Sequence, residues 1–514
     1  MKHRKKLSAI ILSAVMLTTA CSGSTSPDGS TEINDSDPAA SENAGTNDST
    51  DSTDSSNDTD PERKSVNDVI GDIHVKTKLK VLFFGDEKLE NDYKRYFDVP
   101  SEVPESLSYM KYYTDDPFVY VKTDYQDSYT AVHALINSDQ SPDIVYFNKD
   151  KYVDGVTENL FSPIDNIIDF DLKEFQPYRQ IQQQNTVING KTYAPVYSVE
   201  NASLLWYRKS IIENNKIEDP WSLYERNEWT WSKFLEMCEN YFDGKNGKFG
   251  IDGYGVPEAL LATTGESYVS FKDSRYVTNF RDEKLINAMD FLLQFHPSKK
   301  KLCYYDEEDG YISPNRYAWE SGKTLFWSDY SEYILQRLTN YKTKYNFASD
   351  EINFVPFPRP DDVKNKYQTA RINSFLLVKG SKNIEGYKAL VYACALAEND
   401  ENNKNETREQ LKRQYGCNNE LADRMNKVKG DLLTGAVTDY SYTLDPTRFE
   451  LFCGESYIYE VKQWTYYNGR DYKELLNNDT NNMIKAIEED ADIANSKIEK
   501  FGQNSNINTS SEKQ

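Results

Sequence analysis

The sequence predicts an α/β protein in which parallel sheets carry helices on their faces, and it predicts more than one domain. Three observations lead there. Apolar runs of strand length alternate with helical stretches: 79–84 and then a charged helix over 87–97, 118–122 and then a helix over 128–137, and a third strand over 142–147. Strands separated by helices pair in parallel, because the helix carries the chain back to the starting edge. A length of 514 residues exceeds one ordinary domain. Finally, the Gly190-Lys191 turn and the apolar run Leu204-Leu205-Trp206-Tyr207 bracket a stretch interrupted by Pro195 and by Val199-Glu200-Asn201. It reads as two short strands joined by an extended crossing. Ligands of open parallel sheets sit beyond the carboxyl ends of strands, which places Asp86 and the loop Phe147-Asn148-Lys149-Asp150 at the mouth.

The ends of the chain do not belong to this body. Lys2, Arg4, Lys5 and Lys6 precede an apolar segment over 7–17 that is too short to span a bilayer, the pattern of an export signal over 1–20. Leu17-Thr18-Thr19-Ala20-Cys21 resembles a bacterial lipobox, with Thr18 where Leu is usual. That resemblance implies a lipoprotein held to the membrane through acylated, palmitate-bearing Cys21. From Ser22 to Glu62 the chain has eleven acids and no Lys or Arg. Such a segment buries too little apolar surface to offset its ordering entropy, so 21–74 reads as a disordered acidic tether. Its roughly forty polar residues would have an end-to-end distance of ~35 Å. Residues 503–514 read as a short disordered tail. The formal net charge of −23 excludes nucleic acid as a partner, since phosphates would be repelled.

Residues 190–209, GKTYAPVYSVENASLLWYRK, resemble the hinge crossing of the family 1 extracellular solute-binding proteins, the lipid-anchored or periplasmic sugar-binding subunits of ABC transporters. The shared pattern is a G-K-x-Y-x-x-P start and a strand that ends here in Tyr207-Arg208-Lys209, where the family has Tyr-Asn-Lys. A second block comprises Ser141-Pro142-Asp143-Ile144-Val145, Gly155, and Leu160-Phe161-Ser162-Pro163-Ile164-Asp165. It matches x-P-D-I-V … G-x-L-x-P-L-D and looks most like the maltodextrin-binding branch. Trp229-Thr230-Trp231-Ser232-Lys233-Phe234 resembles the family's T-W-x-E-F helix start, with Thr230 as the cap. Residues 317–327 resemble its helix-to-strand step, and Phe354-Val355-Pro356-Phe357-Pro358 its V-x-P-x-P return. The resemblance implies a two-lobed periplasmic-binding-protein fold of type II, each lobe a sheet flanked by helices, with a cleft between the lobes. Residues 75–199 plus 355–435 would form lobe 1, and 200–354 plus 436–502 lobe 2. Ligand contacts are expected at Asp86, Phe147, Asp150 and Arg371 in lobe 1. Tyr197 and Glu200 are expected at the hinge, and Glu266, Tyr268, Trp327 and Asp329 in lobe 2.

Catalytic patterns are sparse. Four His occur without an H-E-x-x-H spacing, and neither a G-x-S-x-G nor a phosphate-cradling loop is present. Residues 243–255, DGKNGKFGIDGYG, fail the EF-hand pattern because Gly247 and Tyr254 stand where acids are needed; they read as a Gly-rich turn between helix and strand. The run Asp306-Glu307-Glu308-Asp309 offers two carboxylates for glycoside hydrolysis but reads more simply as a solvated loop. Cys238, Cys303, Cys394, Cys417 and Cys453 lack C-x-x-C spacing, so neither a disulfide framework nor a zinc or other metal site is expected. With 38 Tyr and 7 Trp the chain can also cover sugar C–H faces with rings. The expectation is a monomeric, cofactor-free receptor, not an enzyme, on the extracellular face of a bacterial cell membrane. It would capture a carbohydrate, an oligosaccharide by resemblance, and deliver it to an ABC import permease. A secreted glycoside hydrolase or a non-transport surface lipoprotein is the alternative. Deleting residues 22–61 is expected to leave the melting temperature unchanged, because the tether contributes no core contact. A clear fall in a thermal melt would show that the segment packs on the body.

Overall fold

Apolar runs on either side of the crossing seed two separate sheets. The structure, a computed structural model, describes residues 63–70, 73, 78–84, 118–123, 128–304, 314–330, 334–335, 337–338, 341, 344–348, 350–399, 408–409, 412, 416–444, 456–477 and 482–511. In the first sheet β1 (Leu79–Phe84) runs parallel between β2 (Phe118–Thr123) and β3 (Ile144–Tyr146), with Val81 opposite both Tyr120 and Ile144. Leu79, Val81, Leu82, Ile144 and Val145 are all buried, as a sheet covered on both faces requires. The helices α1 (Ser128–Leu135) and α2 (Lys149–Thr157) follow β2 and β3. Asn148 caps α2, its side chain accepting the Asp150 N–H at 3.0 Å. The hairpin of β4 (Val187–Ile188) and β5 (Lys191–Thr192) turns at Asn189 and Gly190, both at positive φ, as a two-residue hairpin turn demands.

β6 (Ser198–Asn201) leaves the first sheet, and β7 (Leu204–Arg208) opens the second. β8 (Phe249–Gly253), the hairpin of β9 (Val269–Lys272) and β10 (Arg275–Thr278), β11 (Thr324–Asp329) and β12 (Ile352–Val355) follow. The second sheet has the order β12-β7-β11-β8, with only β8 and β11 parallel. Its core is aromatic: Trp206, Tyr207, Trp229, Phe326, Trp327 and Phe354 are buried, and the Trp206 and Phe354 rings lie 5.2 Å apart. α3 (Trp231–Tyr241) begins at Thr230, whose hydroxyl accepts the Lys233 N–H, and buries Phe234 and Cys238. α4 (Val256–Ala262) leaves the end of β8.

The Gly-rich stretch expected as a turn is only half turn. Its second half is β8, and the glycines explain why. A Cβ at Gly250 would lie 2.4 Å from the Cys238 Cβ, and one at Gly253 would lie 2.1 Å from the Ser328 carbonyl oxygen. Helix α3 and strand β11 therefore come closer to β8 than any side chain allows.

β13 (Gln368–Asn373) pairs antiparallel with β6, and β14 (Phe375–Leu377) rejoins the first sheet against β3. Over that sheet lies α5 (Ile384–Asn399), capped by Asn383, with Tyr387, Leu390, Val391 and Cys394 packed in one core with Leu79, Val81 and Ile144. α6 (Asn419–Gly435) leads to β15 (Ala436–Val437), which pairs parallel with β13, so β15-β13-β6 is a small sheet between the two large ones. α7 (Tyr457–Gln463) and the long α8 (Asn482–Ser511) complete the body. Asn495 of α8 accepts the Tyr276 N–H at 2.8 Å and donates to the Tyr276 carbonyl at 3.0 Å, pairing the edge of β10 as a strand would.

The expected helix over 87–97, the acidic run 306–309, Cys21, Cys453 and residues 21–62 of the tether lie outside the described residues. The tether expected to reach residue 74 ends earlier, because Val66, Ile70 and Ile73 are buried in one core with Leu79, Val81 and α5. At the other end α8 runs to Ser511, through most of the tail expected to be disordered. Cys238, Cys303, Cys394 and Cys417 are buried free thiols. Among the described residues no helix is long and apolar enough to cross a membrane. Gly253 has φ +120°, and its missing side chain faces backbone that cannot yield. Gly253→Ala should cost ~3 kcal/mol or more of unfolding free energy, combining backbone strain with overpacking. Urea unfolding of the two proteins measures it; a loss below ~1 kcal/mol would mean that β8 and β11 separate readily.

Candidate functional site

The carboxyl end of β3 and those of β8 and β11 come together around the segment that follows β15. On the first side β3 ends in Tyr146, which is 47% exposed, and Phe147, Asn148, Lys149 and Asp150 follow into α2. Lys149 Nζ lies 2.5 Å from Asp150 Oδ1. Phe147 is half-buried, with its ring 5.0 Å from that of Tyr152. On the second side β8 ends in Asp252-Gly253 and then the exposed Tyr254, and β11 ends in Trp327-Ser328-Asp329 and then the exposed Tyr330. The Tyr254 ring meets Trp327 edge-on at 5.9 Å.

Two buried carboxylates support this second wall. Asp252 accepts the N–H groups of Gly253 at 2.7 Å and Asn315 at 2.8 Å, tying β8 to the start of the Arg316–Glu320 helix. Burial pushes its carboxyl up to about 7, although those two N–H groups pull the other way. Asp329 accepts from the Trp327 indole at 3.1 Å and from the Tyr330 N–H at 2.9 Å, with Arg337 at 3.7 Å. Burial again raises its carboxyl above the ordinary range, held back by the indole and by Arg337 and Arg316.

Between the walls stands the third crossing. The turn Ser441–Leu444 packs on α2, and Tyr442 lies near Tyr330. Tyr440 donates to the Asn185 side-chain oxygen at 3.0 Å. Behind them Lys462, 2% exposed, sits 2.9 Å from Asp439 and 3.5 Å from Glu258 of α4, with its ammonium 3.8 Å from the centre of the Tyr442 ring. Burial alone would favour loss of the proton. The Asp439 and Glu258 carboxylates and the Tyr442 phenol more than offset that and hold the Lys462 amine well above its usual range. Asp439 is held low in turn, since Lys462, Lys149 and the Ser441 hydroxyl outweigh its burial.

At the hinge, Glu200 on β6 and Arg371 on β13 are register partners and form a pair at 2.8 Å, each side chain about two-fifths exposed (41% and 43%). Burial works against the charged form of Glu200, but Arg371, Lys429 and a hydrogen bond from Asn373 overcome it and lower its pKa.

The structure thus brings Phe147 and Asp150 to one wall and Trp327 and Asp329 to the other, and pairs Glu200 with Arg371 at the hinge. Tyr197 and Tyr268 lie in the core, 5% and 0% exposed, Tyr268 with its hydroxyl 3.8 Å from the Met289 sulfur. Glu266 pairs with Lys272 and Lys284 at 3.5 and 3.4 Å. Asp86 lies outside the described residues. Sequence reasoning passed over Tyr254, Glu258, Asp439, Tyr442 and Lys462; it placed Tyr330 in a loop expected to point into the cleft, without choosing it as a contact. The strand-end rule applied to β8 would have found Tyr254, whereas nothing local in the sequence marks Asp439 or Lys462. Two cavities among the described residues each have a volume of about 10 Å³, room for a single water and not for a sugar ring.

Residues 92–409 match the family of bacterial extracellular solute-binding proteins. The chain belongs to this family. No curated protein matches its sequence. Among solved structures, an uncharacterized protein of Listeria monocytogenes EGD-e shares 14% identity over 82% of this chain and 100% of its own, with a TM-score of 0.55. A sugar transporter of Rhizobium etli in an open conformation shares 14% over 81% and 99%, at 0.54. An extracellular solute-binding protein of Staphylococcus aureus in complex with maltose shares 12% over 82% and 97%, at 0.51. At such identities the likeness establishes the fold, which is the two-lobed α/β fold that the motifs implied. In this solute-binding protein the first and second sheets are the cores of the two lobes, and the walls described above face the space between them.

The raised Asp252 carboxyl has a pH signature. Its folded value, about 7, lies above the ordinary carboxylate value, so folding favours the protonated form. The contribution is fully present below the usual carboxylate range and is lost as pH rises through about 7. Asp252→Asn removes the buried charge and keeps an acceptor for only one of the two N–H groups, because Gly253 and Asn315 donate to different oxygens. The pH dependence of the difference, not its size at one pH, is therefore the readout. The variant should therefore gain melting temperature relative to wild type between about pH 5.5 and about pH 8. A difference that stays constant with pH would mean that Asp252 does not titrate in this window.

Proposed function

We propose that this solute-binding protein captures a carbohydrate, an oligosaccharide, in the cleft between its lobes and delivers it to an ABC import permease. It acts as a receptor and not as an enzyme. Lobe 1 comprises 75–199 plus 355–435, and lobe 2 comprises 200–354 plus 436–502. A lipid on Cys21 holds the protein to the outer face of the cell membrane, and the acidic tether gives it reach. The observation that carries the reading is the pair of half-exposed rings, Tyr254 and Tyr330, at the carboxyl ends of β8 and β11. Rings standing in water at strand ends, beside buried carboxylates, suit a ligand with alternating C–H faces and hydroxyls. The maltose complex of the Staphylococcus aureus relative supports the same class. In this reading the ligand enters with the lobes apart, and closure by hinge bending then buries it.

In this reading Glu200 and Arg371 act as one unit: the carboxylate accepts from ligand hydroxyls and the guanidinium donates to them. Titration calorimetry with maltose and longer maltodextrins tests it. Glu200→Ala is expected to lose ten- to hundredfold in affinity, ~1.5–3 kcal/mol. Tyr254→Ala and Tyr330→Ala are each expected to lose about tenfold. A saturating ligand at 100 times its dissociation constant should stabilise the wild type by ~2.7 kcal/mol in a melt. No binding by a panel of mono- and oligosaccharides would overturn the carbohydrate reading. Binding that Glu200→Ala leaves intact would reduce Glu200 to a brace of the hinge.

A further inference from the structure

Beside the buried ion cluster lies a cavity of about 10 Å³, the volume of one water. It is bounded by Glu258 of α4, Ser267, Thr369 of β13, and Val437 and Asp439 of the third crossing. Its polar lining is unevenly used. Asp439 is saturated: one oxygen accepts the N–H groups of Val269 at 3.1 Å and Ser441 at 3.3 Å, and the other accepts the Ser441 hydroxyl at 2.6 Å and Lys462 at 2.9 Å. Glu258 gives one oxygen to Lys462 at 3.5 Å and has the second to spare. The hydroxyls of Ser267 and Thr369 are buried and have no hydrogen-bond partner in the protein. Ser267 is 4% exposed.

We infer that this cavity is a binding site for one ordered water, which joins β13 to lobe 2. The chemistry selects water over other small occupants. A buried hydroxyl without a partner costs folding free energy, and two of them line one cavity. A water there accepts both hydroxyl hydrogens and donates to Glu258, three hydrogen bonds, the ordinary number for an internal water. An apolar occupant would leave all three groups unpaired. A metal cation would find Asp439 already occupied and the Lys462 ammonium 2.9 Å from that carboxylate, so its ligands would reduce to Glu258 and two neutral hydroxyls. Thr369 stands on β13 and the other two partners, Glu258 and Ser267, on lobe 2, so the water bridges elements that hinge bending moves relative to one another.

The sign of a melting shift decides the point. Thr369→Val and Ser267→Ala each remove one hydroxyl with little change of shape. If the water is held, each variant deprives it of a partner, and the melting temperature should fall by about 1–3 °C. If the recess is dry, each variant removes an unpaired buried hydroxyl, and the melting temperature should rise. A crystal structure of the wild type at high resolution gives an independent answer. Density for one atom within hydrogen-bond reach of Ser267 Oγ, Thr369 Oγ1 and a Glu258 oxygen supports the site. An empty recess, or melting temperatures that rise or do not move, overturns it. Wild-type stability that depends on sodium chloride but not on choline chloride would put a cation there, and also overturns it. None of these readings uses a sugar, so they stand or fall separately from the carbohydrate proposal.

Discussion

The pairing of β6 with β13 governs how the two lobes stand to each other, because both crossings of the hinge pass through it. Four residue pairs are in register, Ala370 with Asn201, Arg371 with Glu200, Ile372 with Val199 and Asn373 with Ser198. The pleat sorts them into two faces. Val199, Ala370 and Ile372 pack with Tyr178, Ile181 and Leu432, while Glu200 and Arg371 stand together on the other face. A slip of one residue would exchange the faces, exposing Ile372 and driving the ion pair into the apolar cluster. Burying two charges costs several kcal/mol per ion, whereas a pair this exposed contributes ~0–1 kcal/mol where it stands. The apolar face therefore sets the register, and the ion pair is dispensable for it.

The third crossing is secured by the opposite device. Lys462 is almost wholly buried, and an ammonium in that position persists only with anions beside it. Asp439 and Glu258 supply them, and the Tyr442 ring covers the remaining face of the ammonium. Asp439 is on the crossing and Glu258 on the helix after β8, so one ammonium ties the crossing to the element that carries Tyr254. Breaking such a pair from one side leaves a charge buried alone, at ~3–5 kcal/mol. The first two crossings are joined by a ladder that can twist; the third is pinned by charge. Bending at the hinge should accordingly pivot about β6 and β13, with the segment 439–442 moving as part of lobe 2.

Much of the frame was legible in the sequence because it rests on local rules. The strands over 79–84 and 118–122 and the helix from 128 came from apolar runs and spacing, and the cap at Thr230 came from its side chain. The crossing was read from Pro195 and the polar triplet as breaks in a strand pattern, but Val199-Glu200-Asn201 itself forms β6, paired with β13. Strand β8 was missed for a physical reason. Glycine weakens strand propensity, and only the packed structure shows that Cys238 and Ser328 require it. The site was harder still. Tyr268 and Tyr197 were expected as contacts by resemblance, but burial is decided by what packs on them from afar. Asp439 and Lys462 meet across a stretch with no motif, and a long-range ion pair leaves no trace in local spacing.

The aromatic excess shows the same limit. Abundant Tyr and Trp favoured a ring-lined sugar site, yet none of the 7 Trp is exposed, and most of them form the core of the second lobe. The β7 and β11 strands are buried almost throughout, among tilted and edge-on rings, so large apolar side chains are needed there whatever the ligand is. Among the described residues the exposed large rings are tyrosines, Tyr146, Tyr254 and Tyr330 among them, where strands of both lobes end. A tyrosine half in water keeps its hydroxyl solvated while its face remains available for an apolar surface, which a tryptophan of larger apolar area does at greater cost. In this chain position, not abundance, decides which rings are packed and which stand in water. The exposed tyrosines stand where the sheet can no longer cover them.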